Sequence, residues 1–408
     1  MKTAVELITP FVEDPLEFVH FQPNRPGKAI GFLEGGESIN FDELPDKKLP
    51  LTFTPLTQRG VTFNNRIFVS PILTYSSQDG FLTDWHVAHY GGLSMHTPGG
   101  ITVEATGVTA HGRVSINCPG IWKDEQIESH RKVVRVVKSN NVRIGLQLVH
   151  SGRKGSGLPI WESSKGIAHS SIGGWTDEVY GPTSEAFDEI SADTKELTIS
   201  QIERIKEAYV DAAIRADLAG YDYLEIHAAH VYLLSSFLSP ISNTRKDIYG
   251  GSFDNRVRFL IEVVERVRNV FPENKPIWVR LSCNEWFEGG WDIEDSVRLA
   301  RLLKDIGVDL VDCSSGGMSN REVVEYRPLF QVSFAQQVRE RAGVQTGAVG
   351  IITKPSEIEE ILQLGQSDIV SLGRQFLLEP SFVKRAAVEL GVDLSYPNQY
   401  LYAKSLID

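Results

Sequence analysis

Eight short apolar segments, each followed by a longer stretch with apolar residues at helical spacing, recur along this chain of 408 residues. Alternating strands and helices favour a parallel sheet, and eight strands is the number that closes an α/β barrel. We therefore predict an α/β fold, a (β/α)8 TIM barrel. Its strands are predicted at 66–70, 100–104, 143–149, 222–226, 277–281, 310–313, 345–349 and 369–372.

The clearest helix prediction is 198–219, where apolar residues recur every three or four positions. Thr198 and Gln201 have the spacing of a capping box at its start. Gly220 follows its end, where a glycine commonly takes the left-handed conformation. Similar patterns predict further helices at 125–138, 252–270, 292–306 and 356–364.

The length would allow two domains, but a barrel with inserted loops also reaches this size as one domain. Residues 1–50 are rich in proline and glycine without periodicity, so we predict an N-terminal extension there. The barrel is predicted at 51–390 and a C-terminal tail at 391–408. The segment 151–197, after the third strand, is too long for an ordinary loop and is predicted to form a cap over the site.

The composition excludes some classes of function. A net charge of −12 and a pI near 5.4 argue against binding to nucleic acid, which needs a basic face. The cysteines, Cys118, Cys283 and Cys313, are few and far apart, which favours a reducing compartment over a disulfide framework. No apolar run approaches the ~20 residues of a membrane span. We expect a cytoplasmic protein without a membrane partner.

Two histidines and a tyrosine follow the fourth predicted strand, where barrels place their chemistry. Taken alone, His227 and His230 could be zinc ligands, paired donors to a substrate oxygen, or ordinary buried histidines. Because the segment offers no clear third ligand, no metal is predicted. The phenol of Tyr232 stays protonated at neutral pH and could protonate a developing carbanion, although by itself it could equally be a core tyrosine.

Two further polar residues lie within apolar strands. Gln147 is an amide that burial would penalise unless it is paired, and a planar ligand with donors and acceptors along one edge would satisfy it. Arg280 is a permanent cation that needs an anionic partner, either a ligand or a structural salt bridge. Gly350, Gly373 and Arg374 end the seventh and eighth strands, where many barrels bind a phosphate group.

With these pieces assembled, the chain resembles the old yellow enzyme family of flavin-dependent ene-reductases, and within it the branch with compact, thermostable bacterial members. The resemblance runs from about residue 51 to about residue 390. It rests on these blocks: Asn65-Arg66-Ile67 with Ser70-Pro71, Trp85-His86 through His89-Tyr90, Gln147 to Lys154, His227 through Tyr232, and Phe237-Leu238-Ser239-Pro240 through Asn255-Arg256.

The resemblance implies a barrel that holds FMN non-covalently, is reduced by NADPH or NADH, and transfers hydride from the flavin to an activated alkene. It places His227 and His230 on the substrate oxygen, Tyr75 as a second substrate-contacting phenol, and Tyr232 as the proton donor. It also implies cofactor contacts for a wider set of residues. These are Ser70, Pro71, Ile72, Leu73, Ala105, Gln147 and Arg280 around the ring, and Gly350, Gly373 and Arg374 at the phosphate.

Two departures from the family pattern stand out. Leu73 occupies the position where relatives usually carry a cysteine or threonine that contacts the flavin. The C-terminal arginine that some relatives insert into a neighbouring subunit has no match, and Tyr402 lies at about that place. Dimer contacts of the relatives therefore cannot be assumed, and the sequence leaves a homo-oligomer open. The alternatives to an ene-reductase are a flavin-assisted isomerase, a metal-dependent hydrolase and a flavin-binding redox module.

Overall fold

The computed structural model describes residues 26–32, 49–162, 166–317 and 322–404. Its centre is a closed barrel of eight strands, which we number β1 to β8 in chain order. Each strand pairs in parallel with the next, and β8 closes the barrel on β1. The strands are β1 (Ile67–Val69), β2 (Gly100–Gly107), β3 (Arg143–Val149), β4 (Tyr223–Ala228), β5 (Ile277–Ser282), β6 (Leu310–Ser314), β7 (Gln345–Ala348) and β8 (Ile369–Leu372).

One principal helix follows each strand and packs outside the barrel. The helices are α1 (Asp84–Ser94), α2 (Ile127–Ser139), α3 (Ile199–Ala219), α4 (Phe253–Val270), α5 (Ile293–Asp305), α6 (Val332–Ala342), α7 (Pro355–Gln363) and α8 (Phe382–Glu389). Short helices at Leu233–Leu238, Arg374–Leu378 and Leu401–Lys404 complete the described set. The predicted (β/α)8 barrel is thus confirmed. No helix within the described ranges has the length and apolar content needed to cross a membrane.

Local signals define α3 as its sequence indicates. The Thr198 side chain accepts a hydrogen bond from the backbone N–H of Gln201, and the Gln201 side chain accepts one from Thr198. Gly220 ends the helix with a φ of 96°, a conformation that costs a residue with a Cβ atom considerably more. The apolar face that this helix buries includes Ile202 and Tyr209.

The amino-terminal end of the barrel is filled by a hydrophobic plug. Phe63, from a hairpin of Leu56–Gln58 and Val61–Phe63, packs there against Phe68, Tyr223 and Trp278. The Tyr223 and Trp278 rings lie 4.3 Å apart between centroids. Packed side chains therefore close this end of the barrel.

The segment between β3 and α3 contains short 3-10 turns and a two-stranded sheet of Tyr180–Gly181 and Lys195–Glu196. Residues 163–165 of it lie outside the described ranges. At the chain ends, Ala29–Phe32 pairs antiparallel with Val392–Leu394. Most of the predicted N-terminal extension, and residues 405–408 of the predicted tail, also lie outside the described residues.

Candidate active site

A cavity of about 940 Å³ opens at the carboxyl ends of the barrel strands. This volume is within the range of about 300–1,000 Å³ that is typical of ligand and cofactor sites. Ten of the predicted site residues line it together. They are Pro71, Ile72, Leu73, Tyr75, Ala105, Gln147, His227, His230, Tyr232 and Arg280.

The other four predicted site residues lie elsewhere. Ser70 and Gly373 line a smaller hollow that shares Ile72 and Phe376 with the main cavity. Gly350 and Arg374 line neither space. The structure therefore brings the predicted ring contacts together, whereas the predicted phosphate contacts do not form one lined space with them.

The His227 side chain has a defined hydrogen-bonding role. The backbone N–H of Ala229 donates to its Nδ1 atom over 3.2 Å, and burial holds the pKa of His227 well below its usual value. The imidazole is therefore neutral, and its proton lies on Nε2. His227 thus offers one N–H donor to the cavity that it lines.

His230 and Tyr232 flank His227 on the same side of the cavity. The His227 ring lies 5.3 Å from the His230 ring and 4.7 Å from the Tyr232 ring, nearly perpendicular to both. Nε2 of His230 is 2.7 Å from the Ser314 hydroxyl, so Nδ1 is the atom of this ring left for other partners. Burial raises the pKa of Tyr232 above its usual value, which keeps the phenol protonated.

The backbone between these side chains is strained. His230 and Val231 both have positive φ angles, of 58° and 71°. A β-branched residue is rarely found in this region, and such strain clusters at functional sites. Lys154 helps to hold the turn, because its ammonium group donates to the carbonyls of His230 and Gly317 over 3.2 Å.

Arg280 forms a salt bridge within the protein and keeps one N–H group without a partner among the described residues. Its Nη1 atom donates to Ser70 Oγ and to Asp312 Oδ2, each over 2.9 Å. The salt bridge considered from the sequence therefore exists. The Nε atom, however, is buried without a hydrogen-bond partner among the described residues. A guanidinium at a cavity wall with an unsatisfied N–H calls for an acceptor from a ligand.

The residues that line the cavity fit FMN. The cavity has an apolar lining for a flat ring, and the Gln147 amide and the Arg280 guanidinium supply hydrogen-bonding groups at its wall. The described residues hold no group of three or more His, Cys, Asp or Glu side chains that could bind a metal ion.

Sequence reasoning missed several lining residues. Trp85 and His89 lie one turn apart on α1, with their rings stacked at an interplanar angle of 10°. Ile160 and Trp161 come from the segment after β3, and Trp161 meets the Tyr75 ring edge-on at 5.6 Å. In the sequence, Ile160 and Trp161 are large apolar residues in a segment that is otherwise rich in glycine, serine and proline. This pattern could have indicated that they line the site.

Comparisons with known proteins identify the family. The model of the NADH:flavin oxidoreductase / NADH oxidase family matches residues 51–392. An NADH:flavin oxidoreductase of Gibberella zeae is 42% identical over 362 residues, which cover 85% of this chain and 87% of that protein. NADPH dehydrogenase of Bacillus subtilis is 41% identical over 350 residues, or 85% of this chain and 97% of that protein.

The fold comparison gives the same result. The solved structure of morphinone reductase has a TM-score of 0.70 and 27% identity, covering 86% of this chain and 92% of that one. The family model therefore spans all the residues that line the cavity. The chain belongs to the old yellow enzyme family, as an FMN-dependent oxidoreductase that uses NADH or NADPH.

Proposed function

We propose that this protein is an ene-reductase that uses NADPH or NADH to reduce the activated C=C bond of α,β-unsaturated carbonyl or nitro compounds. The bound FMN would supply the hydride. The remaining tasks are to bind the substrate oxygen, to support negative charge on it and to deliver a proton. This chain's own side chains can perform all three.

The observation that carries the proposal is the grouping of His227 and Tyr232 on one cavity. His227 presents a neutral N–H donor, and its ring lies 4.7 Å from that of Tyr232. A fixed donor beside a carbonyl or nitro oxygen stabilises the charge that develops there when hydride adds to the alkene. The His230 imidazole and the Tyr75 phenol line the same cavity and would contact the same substrate.

Tyr232 is the proposed proton donor. Its raised pKa, caused mainly by desolvation, keeps the proton on the phenol at physiological pH. In the proposed reaction the phenol O–H donates its proton to the substrate carbon next to the activating group. The hydride and the proton thus add to adjacent carbons, and the tyrosine regains its proton from solvent.

We assign the cofactor contacts as the resemblance predicts them. Pro71, Ile72, Leu73 and Ala105 would contact the ring, Gln147 its pyrimidine edge, and Arg280 the region of N1 and the C2 carbonyl. Supporting this, these six residues line one cavity, and the unsatisfied Nε atom of Arg280 needs an acceptor. Ser70, Gly350, Gly373 and Arg374 complete the proposed set, the last three at the phosphate.

An anaerobic spectral titration tests the proposal. We expect NADPH or NADH to bleach the yellow protein and cyclohexenone to restore its colour, with one saturated ketone formed for each nicotinamide oxidised. Bleaching that no activated alkene reverses would favour a redox module without an alkene substrate. A rearranged enone formed without net oxidation of nicotinamide would favour the isomerase.

A further inference from the structure

A layer of buried polar side chains lies between the hydrophobic plug and the cavity. Gln147 of β3 is directly opposite Glu225 of β4, and Arg280 of β5 is directly opposite Asp312 of β6. All four are less than a tenth exposed. Gln147 and Arg280 line the cavity, whereas Glu225 does not, so Glu225 lies behind the amide.

Glu225 makes a hydrogen bond that orients this amide. The Nε2 atom of Gln147 donates to Oε1 of Glu225 over 2.6 Å. An amide has one end that donates and one that accepts, whereas a carboxylate only accepts. In the structure the nitrogen end of Gln147 faces Glu225, which leaves Oε1 and the second N–H for a ligand in the cavity.

If Glu225 and Asp312 were both ionised, this layer would hold two negative charges and one positive charge. Arg280 is the one cation in it, and Asp312 already pairs with Arg280 over 2.9 Å. The titratable or charged groups that act on Glu225 are Asp312 and Arg280, and Glu225 in turn acts on Tyr223 of its own strand. Burial, and then the charge of Asp312, raise the pKa of Glu225 to about 8. The buried layer therefore favours the protonated form of Glu225.

We propose that Glu225 is a positioning residue for the cofactor: through Gln147 it sets which hydrogen-bonding groups face the pyrimidine edge, and its ionisation adds negative charge behind that amide. The proposal rests on the assignment of Gln147 to FMN and not on alkene reduction. Negative charge near the cofactor opposes electron uptake, so release of the Glu225 proton would lower the reduction potential of bound FMN. Conversely, reduction above the pKa of Glu225 draws a proton back onto it.

The test is the midpoint potential of bound FMN, measured from about pH 6 to about pH 10 in the holoenzyme. In the wild type we expect the decline of potential with pH to steepen near pH 8, where Glu225 releases its proton. Glu225→Gln keeps the shape of the side chain but cannot ionise, so its profile should lack this change of slope.

A matched control is Glu285→Gln. Glu285 is another buried acid with a raised pKa, of about 7, but its partners are Ser239 and the backbone N–H of Trp291. This variant should keep the wild-type profile. A wild-type potential that follows one slope across the range, or a Glu225→Gln profile equal to that of the wild type, overturns the proposal.

The wild-type measurement does not depend on whether the variant folds. The readout also does not involve an alkene. A protein that reduces no enone but shows the change of slope would refute the proposed function and leave the role of Glu225 standing.

Discussion

The backbone N–H of Ala229 donates a hydrogen bond to Nδ1 of His227, over 3.2 Å. This contact between residues two apart fixes the tautomer of the imidazole, because an acceptor Nδ1 in a neutral ring requires the proton on Nε2. The lowered pKa of His227 keeps the ring neutral at every pH from its usual pKa upward. The fold thus provides a donor that points into the cavity without carrying a charge.

Loss of this donor should weaken the binding of phenolate-type ligands. We expect His227→Ala to raise the dissociation constant of a substituted phenol about 10- to 100-fold, the range for a hydrogen bond to a charged group. His227→Asn keeps an N–H donor and should recover part of the affinity. The measurement is a titration of the long-wavelength charge-transfer absorbance. His111→Ala is the control, since His111 pairs with Glu178 outside the cavity. If the charge-transfer absorbance were the same in all variants, His227 would not bind the ligand oxygen.

Replacement of Tyr232 by phenylalanine should separate the two half-reactions. The variant lacks the proton donor but keeps the ring that packs against His227. Flavin reduction by NADPH should therefore stay near its wild-type rate, whereas alkene reduction should slow about 10²- to 10⁴-fold, as expected for a lost general acid. Stopped-flow absorbance under anaerobic conditions measures both rates. A similar loss in both half-reactions would show that Tyr232 acts through structure and not through its proton.

Trp161 should influence which alkenes the protein accepts. It is about two-thirds exposed, lines the cavity and contacts Tyr75 edge-on. A substrate with an aromatic substituent can pack against this ring. We expect Trp161→Ala to lower kcat/KM for an aryl-substituted enone about 3- to 10-fold relative to cyclohexenone, the usual worth of one aromatic contact. Ile172→Ala removes an exposed apolar residue of the same segment that does not line the cavity, and it should leave the ratio unchanged.

The sequence predicted the elements that local signals define. The bounds predicted for β3 and β8, 143–149 and 369–372, are those observed, and the cap and end of α3 form as expected. β1 is shorter than predicted, because Arg66 and Ser70 lie outside it. Where apolar runs and capping residues coincide, few other structures are compatible with the chain.

Long-range contacts were harder to predict. The sequence marked Gln147 as a buried amide, but nothing local indicated that Glu225, 78 residues further on, would accept its N–H. That pairing follows from the register of β3 against β4, which places the two residues opposite each other. The contact between Trp161 and Tyr75 likewise depends on the path of a segment without periodicity.

Val231 lies in the sequence block that predicted the site, between His230 and Tyr232, but its positive φ angle was not predicted from the sequence. It is fully buried and has a φ of 71°, where a side chain with a Cβ atom costs about 1–2 kcal/mol. Glycine avoids this cost, although it loses about 0.5–1 kcal/mol more conformational freedom on folding than alanine. Val231→Gly should therefore be more stable than Val231→Ala by up to about 1.5 kcal/mol.

This comparison isolates the backbone, because both variants lose the buried isopropyl group. Urea unfolding of the two proteins provides the measurement. Val344 is also buried but is not among the residues with a positive φ. At that control position the order should reverse, with Val344→Ala more stable than Val344→Gly. If alanine were favoured at both positions, the turn between His230 and Tyr232 would not be strained, and its geometry would need no support from Lys154.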